Sequence, residues 1–197
     1  MSNTPLKLAV IIGSVRTGRF GPTVASWFTK QAIAHGGVEV DVIDLVDYPL
    51  PLQLPAYGQP AEPEVEAVRT ALGKRIGDAE AYAVITPEYN HAVPASLKNA
   101  IDWFLNEWKA KPVGLISYGG MGGGLRAAGH LRQVFSELHA TTVRNMISFH
   151  NAWNDFDADG SEAGPAGSDQ AAKDLIDQLV WWGEALREAR AKNPYAF

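Results

Sequence analysis

Three stretches of this chain carry residues whose types and spacing suit chemistry. The first, Gly13-Ser14-Val15-Arg16-Thr17-Gly18-Arg19-Phe20-Gly21, lies between an apolar run and Pro22, a residue tolerated in the first turn of a helix. Glycines let such a turn point its amides inward, a helix start adds its positive dipole end, and Ser14, Arg16, Thr17 and Arg19 offer further donors. A phosphate monoester dianion suits that donor set. The same residues would equally make an ordinary turn with solvated arginines. The pattern is neither G-x-x-x-x-G-K-[ST] nor G-x-G-x-x-G, so neither a P-loop nor a dinucleotide fingerprint is supported.

The second stretch, Thr86-Pro87-Glu88-Tyr89-Asn90-His91-Ala92-Val93-Pro94, is bracketed by prolines that should hold it extended. Its backbone groups would then face a planar heterocycle, with Tyr89 and Asn90 beside them; the alternative is a purely structural surface loop. The third, Ser117-Tyr118-Gly119-Gly120-Met121-Gly122-Gly123-Gly124, has five glycines in six positions, which permits close approach of another molecule. Gly122-Gly123-Gly124-Leu125-Arg126-Ala127 matches G-x-G-x-x-A. The next strand nevertheless ends without the acidic residue that would hold a ribose, so this match is taken as chance.

Positioning three such loops requires alternating strands and helices. Strands are expected at Lys7–Ile12, Val38–Asp44, Ala81–Thr86, Pro112–Tyr118 and Thr142–Phe149, and helices at Pro22–His35, Glu64–Asp78, Pro94–Lys109, Leu125–His139 and Asp169–Ala191. Most of the strands are nearly continuous apolar runs, as strands buried on both faces should be. The pattern predicts one α/β domain spanning residues 1–197, a doubly wound five-stranded parallel sheet with helices on both faces; it fits both common doubly wound orders, of which the flavodoxin-like order 2-1-3-4-5 is favoured. In that order ligands bind beyond the carboxyl ends of strands 1 and 3. Along the third helix Leu97, Ala100, Ile101, Phe104, Leu105 and Trp108 form one broad apolar face, which we expect to mediate self-association. The proline-rich segment Asp47–Pro63 and the Gly, Asp and Ala-rich segment Asn154–Ser168 read as surface excursions.

Composition narrows the classes. Apolar residues at 46% and charged residues at 20% place the chain among soluble globular proteins, and a net charge of −5 without a basic stripe argues against nucleic acid as a partner. No stretch approaches the roughly 20 apolar residues of a membrane span, and the run Leu8–Ile12 lacks a signal-peptide cleavage pattern, so a cytoplasmic location and no membrane partner are expected. Cysteine is absent, which removes disulfides and thiolate chemistry, so redox chemistry needs a borrowed cofactor. The five histidines are scattered without ligand spacing, so no metal is expected, and G-x-S-x-G is missing, which disfavours a serine hydrolase.

In order and spacing these loops resemble those of the NADPH-dependent FMN reductases, a family that includes quinone, azo-dye and chromate reductases. The resemblance runs from Lys7 to Phe149 and is carried above all by Pro87-Glu88-Tyr89-Asn90, continuing through Val93-Pro94, Leu97-Lys98-Asn99-Ala100 and Asp102-Trp103. It implies that Ser14, Arg16, Arg19, Phe20 and Gly21 hold the FMN phosphate, that Pro87, Glu88, Tyr89 and Asn90 contact the isoalloxazine, and that Ser117, Gly119 and Gly120 line its other edge. Many members carry a small hydroxyl residue and an Asn at the positions of Arg19 and Gly21. Arg19 therefore either binds the phosphate directly or points outward to meet NADPH.

The implied activity is an FMN-dependent NAD(P)H oxidoreductase, taking reducing equivalents from NADPH or NADH to a small-molecule acceptor such as a quinone, flavin, azo compound or oxidised metal. No side chain need act as acid or base, because the flavin carries the chemistry. A homodimer or homotetramer is implied as well. The competing reading is a flavodoxin-type electron carrier, which would share fold and FMN but need a separate reductase.

Overall fold

In the computed structural model, which describes residues 4–156 and 164–197, the chain alternates strand and helix: β1 Leu6–Ile12, α1 Gly21–His35, β2 Val38–Asp44, α2 Pro63–Asp78, β3 Ala81–Pro87, α3 Ala95–Asp102, β4 Pro112–Gly119, α4 Leu125–Glu137, β5 Thr141–His150 and α5 Ser168–Lys192. All four strand pairings are parallel and the sheet order is β2-β1-β3-β4-β5, the flavodoxin-like order read from the sequence. Parallel neighbours require crossover connections, and the helices that provide them cover both faces.

The period of two along a strand divides the core. Leu6, Leu8, Val10 and Ile12 of β1 face α1 and α5, where they meet Val24, Trp27, Phe28, Leu175, Ile176 and Leu179. Ala9 and Ile11 face the other way, towards Leu72 and Ile76 of α2, Leu97 and Ile101 of α3, and Leu131 and Phe135 of α4. With apolar layers on both sides, the carboxyl ends of the strands are where polar loops emerge.

The third helix is shorter than its periodicity predicts, ending at Asp102 instead of Lys109. Beyond it, Phe104 N–H bonds the Ile101 carbonyl at 3.2 Å, a tighter turn than a helix makes, and the Trp103 indole N–H reaches the Pro51 carbonyl at 3.1 Å. Trp108 leaves the helical path and drops into the core, 1% exposed, its ring edge-on to Tyr82 and Phe135 at 4.8 and 5.5 Å. Of the expected apolar face only Leu105 is exposed. The expectation of self-association through Pro94–Trp108 therefore fails at Trp108, whose apolar spacing served packing.

The segment after β2 is an excursion, as expected. It leaves through a short 3-10 turn, Leu45–Asp47, and is tied to α3 by Asn99 Nδ2 donating to the Leu50 carbonyl at 2.9 Å. Residues 157–163 of the second excursion, Asn154–Ser168, lie outside the described residues. No helix among the described residues is long and apolar enough to cross a membrane.

Candidate functional site

All three loops emerge at the carboxyl edge of the sheet, from β1, β3 and β4, which are adjacent strands. Gly13 at the end of β1 donates to the Ile85 carbonyl of β3 at 2.9 Å, and its own carbonyl accepts from Ser96 Oγ at 2.8 Å. The first loop is thereby fastened to β3 and to the start of α3. It then turns at Arg16–Arg19, where Arg19 N–H bonds the Arg16 carbonyl at 3.1 Å.

Beyond that turn, α1 begins without a side-chain cap and with no acidic residue in its first turn. Helix starts leave several amides without intrahelical partners, and a capping Ser, Thr, Asp or Asn usually answers one of them. Here Phe20 stands at the cap position, its ring packed at 5.6 Å from Phe156 and 6.1 Å from Tyr118. Gly21 follows because a side chain there would collide with Ile12 and the Tyr118 hydroxyl, at 2.9 and 3.0 Å. Arg16 is exposed beside this open helix end.

Arg19 takes neither of its two expected roles outright. Its guanidinium is ion-paired with Asp44 at the end of β2, and both side chains are about four-fifths buried. Its Nε is buried with no hydrogen-bond partner, an orphaned donor at the edge of the loop.

The second loop differs from the expected extended form. Tyr89 and Ala92 exchange N–H and carbonyl bonds at 2.9 and 3.0 Å, closing a two-residue turn whose central residues, Asn90 and His91, have φ of 50° and 68°. Positive φ at both centres is the geometry of a type I′ turn, which Asn tolerates well and His less so. The Tyr89 and Ala92 backbone groups are thus spent on each other. The tyrosine hydroxyl shares a 2.8 Å hydrogen bond with Ser14 Oγ, joining the second loop to the first. Pro87 is buried at the end of β3.

Glu88 joins the second loop to the third. Its carboxylate accepts from the Arg126 amide at 3.0 Å and the Arg126 guanidinium at 3.1 Å, at the start of α4. Burial alone would raise its pKa, but the Arg126 amide and guanidinium, with the Ala127 amide, more than offset this and hold it below the usual carboxylate value. Glu88 is therefore an anion fixed on a helix N-terminus.

In the third loop two of the five glycines serve the fold. Gly123 and Gly124 have φ of 56° and 80°, and a Cβ on Gly124 would lie 2.7 Å from that of Ser117. Ser117 is fully buried and donates to the Gly123 carbonyl at 2.7 Å, so its hydroxyl holds the loop. Gly119, at the end of β4, and Gly120 remain partly exposed, as close approach requires.

Sequence reasoning missed Tyr118, Asp44, Arg126, Ser148 and His150. Tyr118 lies between the first and third loops; burial, with Tyr89 adding, drives its hydroxyl pKa far above the ordinary value, so it stays protonated beside Ser14 and the Gly21 amide. Ser148 and His150 were legible in principle, as they alternate with the buried Ile147 and Phe149 at the polar end of an apolar strand. The partners Asp44 and Arg126 left no local signal. Among the described residues no three of His, Asp and Glu stand together as a metal set.

The residues fit a phosphate-bearing ligand with a planar ring system. An uncapped helix start, the orphaned Arg19 Nε, exposed Arg16 and the Gly21 position crowd the first loop, while the turn at Tyr89–Ala92 and the glycines of the third loop flank a surface towards β4.

Comparison with known proteins points in the same direction. Residues 6–154 match the family model described as NADPH-dependent FMN reductase. An NAD(P)H-dependent FMN reductase of Schizosaccharomyces pombe is 38% identical over 144 residues, 71% of this chain and 70% of its own. A quinone reductase of Escherichia coli K12 is 34% identical over 196 residues, covering 94% and 97% of the two chains. Among solved structures, FerB, a flavoenzyme NAD(P)H:(acceptor) oxidoreductase from Paracoccus denitrificans, superposes with a TM-score of 0.66 at 25% identity, over 91% of this chain and 98% of its own.

Proposed function

The chain belongs to the NADPH-dependent FMN reductase family, and from that membership we propose that it is an FMN-dependent NAD(P)H oxidoreductase delivering reducing equivalents to a small acceptor of the quinone, flavin or azo type. The observation that carries the reading to this chain's own residues is the start of α1, which has neither a side-chain cap nor an acid in its first turn, next to Ser14 and Arg16. Such an end is built to receive an anion from outside the chain.

In this reading the α1 amides, Ser14 and Arg16 bind the FMN phosphate. Arg19, through its pair with Asp44, sets the shape of the loop and offers its Nε. Tyr89 and Asn90 stand on one side of the isoalloxazine and Gly119 and Gly120 on the other. Glu88 and Ser117 act behind these contacts, since each is spent on the third loop. The bound flavin supplies acceptance of a hydride from the nicotinamide and its onward transfer. The chain's part is to orient the ring and keep Tyr118 protonated beside the phosphate loop. A homodimer or homotetramer belongs to the same proposal, without the helix face first expected to form it.

Purified protein should carry a flavin that mass spectrometry of the extracted chromophore identifies as FMN, and NADPH or NADH alone should reduce it anaerobically. FAD as the main species, or no binding after reconstitution, would refute the assignment. A flavin that the nicotinamides cannot reduce would favour the electron carrier instead.

A further inference from the structure

The third loop is held from outside by the end of β5. Ser148 Oγ donates to the Gly123 carbonyl at 2.8 Å, the Asn151 amide donates to the Gly120 carbonyl at 2.9 Å, and His150 Nδ1 lies 2.8 Å from the Met121 carbonyl. A carbonyl only accepts, so Nδ1 must carry the proton in that contact. Ser148 has one proton and two possible acceptors, and the Gly123 carbonyl is nearer than His150 Nε2, at 3.3 Å. Inside the loop, Gly123 N–H takes the Gly120 carbonyl and Leu125 N–H the Gly122 carbonyl, both at 3.1 Å. Four successive carbonyls, from Gly120 to Gly123, are thereby turned into the protein.

The amides show the opposite pattern. Those of Gly120, Met121 and Gly122 donate to no protein acceptor among the described residues, and none of the three residues is buried. Consecutive amides left without a protein acceptor on an unburied loop offer partial positive charge to a bound group. No side chain at Gly123 could replace the clamp, because a Cβ there would collide with Ser148 Oγ and lie 2.7 Å from the His150 ring.

We propose that Ser148 and His150 are positioning residues that hold the loop carbonyls inward and its amides outward, so that the loop favours the more electron-rich, reduced state of the ring it faces. The proposal rests on the assignment of FMN to this site. Neither side chain need touch the flavin; each acts through a backbone carbonyl.

The test compares wild type with His150→Ala, His150→Asn and Ser148→Ala, measuring FMN affinity by titration of apo-protein and the two-electron midpoint potential by equilibration with a reference dye. Loss of one neutral hydrogen bond corresponds to roughly a 2- to 12-fold change in an equilibrium constant. In His150→Ala and Ser148→Ala the reduced flavin should lose several-fold more affinity than the oxidised, and a tenfold difference lowers the midpoint potential by about 30 mV. The asparagine amide can donate to the Met121 carbonyl from nearly the place of Nδ1, so His150→Asn should recover most of the wild-type potential. A merely structural role would lower the melting temperature and leave the potential unmoved.

Wild-type potentials in both alanine variants would overturn the proposal while leaving the FMN assignment standing, and so would an asparagine variant no better than alanine. Should His150→Ala fail to fold, Ser148→Ala and His150→Asn still decide between the two outcomes. A wild-type protein that binds no FMN would overturn the assignment, and the proposal with it.

Discussion

Replacing Glu88 with Gln should separate the loops that it joins. The Arg126 side chain is 51% exposed, so its ion pair with Glu88 contributes under about 1 kcal/mol in water. The backbone contacts weigh more, because the Glu88 side chain is only 10% exposed and sits on the open start of α4. An anion at a helix N-terminus contributes about 0.3–2 kcal/mol, and hydrogen bonds to a charged group about 1.5–3 kcal/mol. Glutamine keeps one acceptor oxygen and loses the charge, so Glu88→Gln should cost about 1–3 kcal/mol. Urea unfolding at pH 7 should show a lower midpoint with an unchanged slope. Acid supplies the second half of the test. The folded-state pKa of Glu88 is depressed below 4.5, so its contribution is complete above that value and is lost as pH falls through the folded pKa. The stability gap between wild type and Glu88→Gln should therefore narrow below about pH 4.5. A gap that stays constant from neutral pH into acid would show that the carboxylate charge does not hold the two loops, and would refute the reasoning.

Arg16→Ala should weaken FMN binding roughly ten- to a hundredfold, the equivalent of about 1.5–3 kcal/mol for a charge-assisted contact, while turnover at full flavin occupancy stays near wild type. Titration followed by assay at saturation reads both, and unchanged affinity would remove Arg16 from the phosphate site. Lys111 is buried, donating to the Ile76 and Gly77 carbonyls and to Tyr82, and burial, with Arg190 adding, lowers its pKa from 10.5 to about 8. The unfolded chain holds this proton more tightly, so stability from this group should rise between pH 8 and 10.5, by about 3 kcal/mol at about 1.36 kcal/mol per pH unit. Parallel pH profiles for wild type and Lys111→Met in urea unfolding would contradict this. Trp108→Ala should cost about 3–5 kcal/mol in the same assay, and Trp108→Glu should give an unfolded chain in circular dichroism instead of a folded monomer; a folded, dissociated Trp108→Glu protein would restore the discarded interface.

The strands were legible to within about a residue at each end because most are buried apolar runs bounded by glycine, proline and charge. Alternation with helices fits both common doubly wound orders, and the structure has the flavodoxin-like one that was favoured. Residues 103–109 were misread because helical spacing reports burial, and burial here is achieved by an irregular chain that trades helical bonds for indole contacts at Trp103 and Trp108. In the candidate site the loops themselves were readable, since glycine and proline punctuate them. Their side-chain partners were not. Asp44 lies 25 residues from Arg19, and Arg126 lies 38 from Glu88, so only the folded sheet brings either pair together. Tyr89 meets Ser14 across 75 residues of chain, and the positive φ at Asn90 and His91 has no signal as plain as a glycine.

The clamp on the third loop also orders events in the life of the chain. Ser148 and His150 lie 25 and 29 residues beyond the carbonyls they hold, on a strand that forms one edge of the sheet. Chains emerge from the ribosome amino terminus first. The first loop has its flanking strand and helix by His35 and is fastened to β3 once Ile85 is in place. A nascent chain that stops short of Thr141 holds the first two loops, all of α4 and the contacts that Ser117, Gly123 and Leu125 make on the loop carbonyls, but lacks those of Ser148, His150 and Asn151. Maturation is thus stepwise: the first loop is fastened early in synthesis, and the clamp on the glycine-rich loop is completed only when the last strand docks.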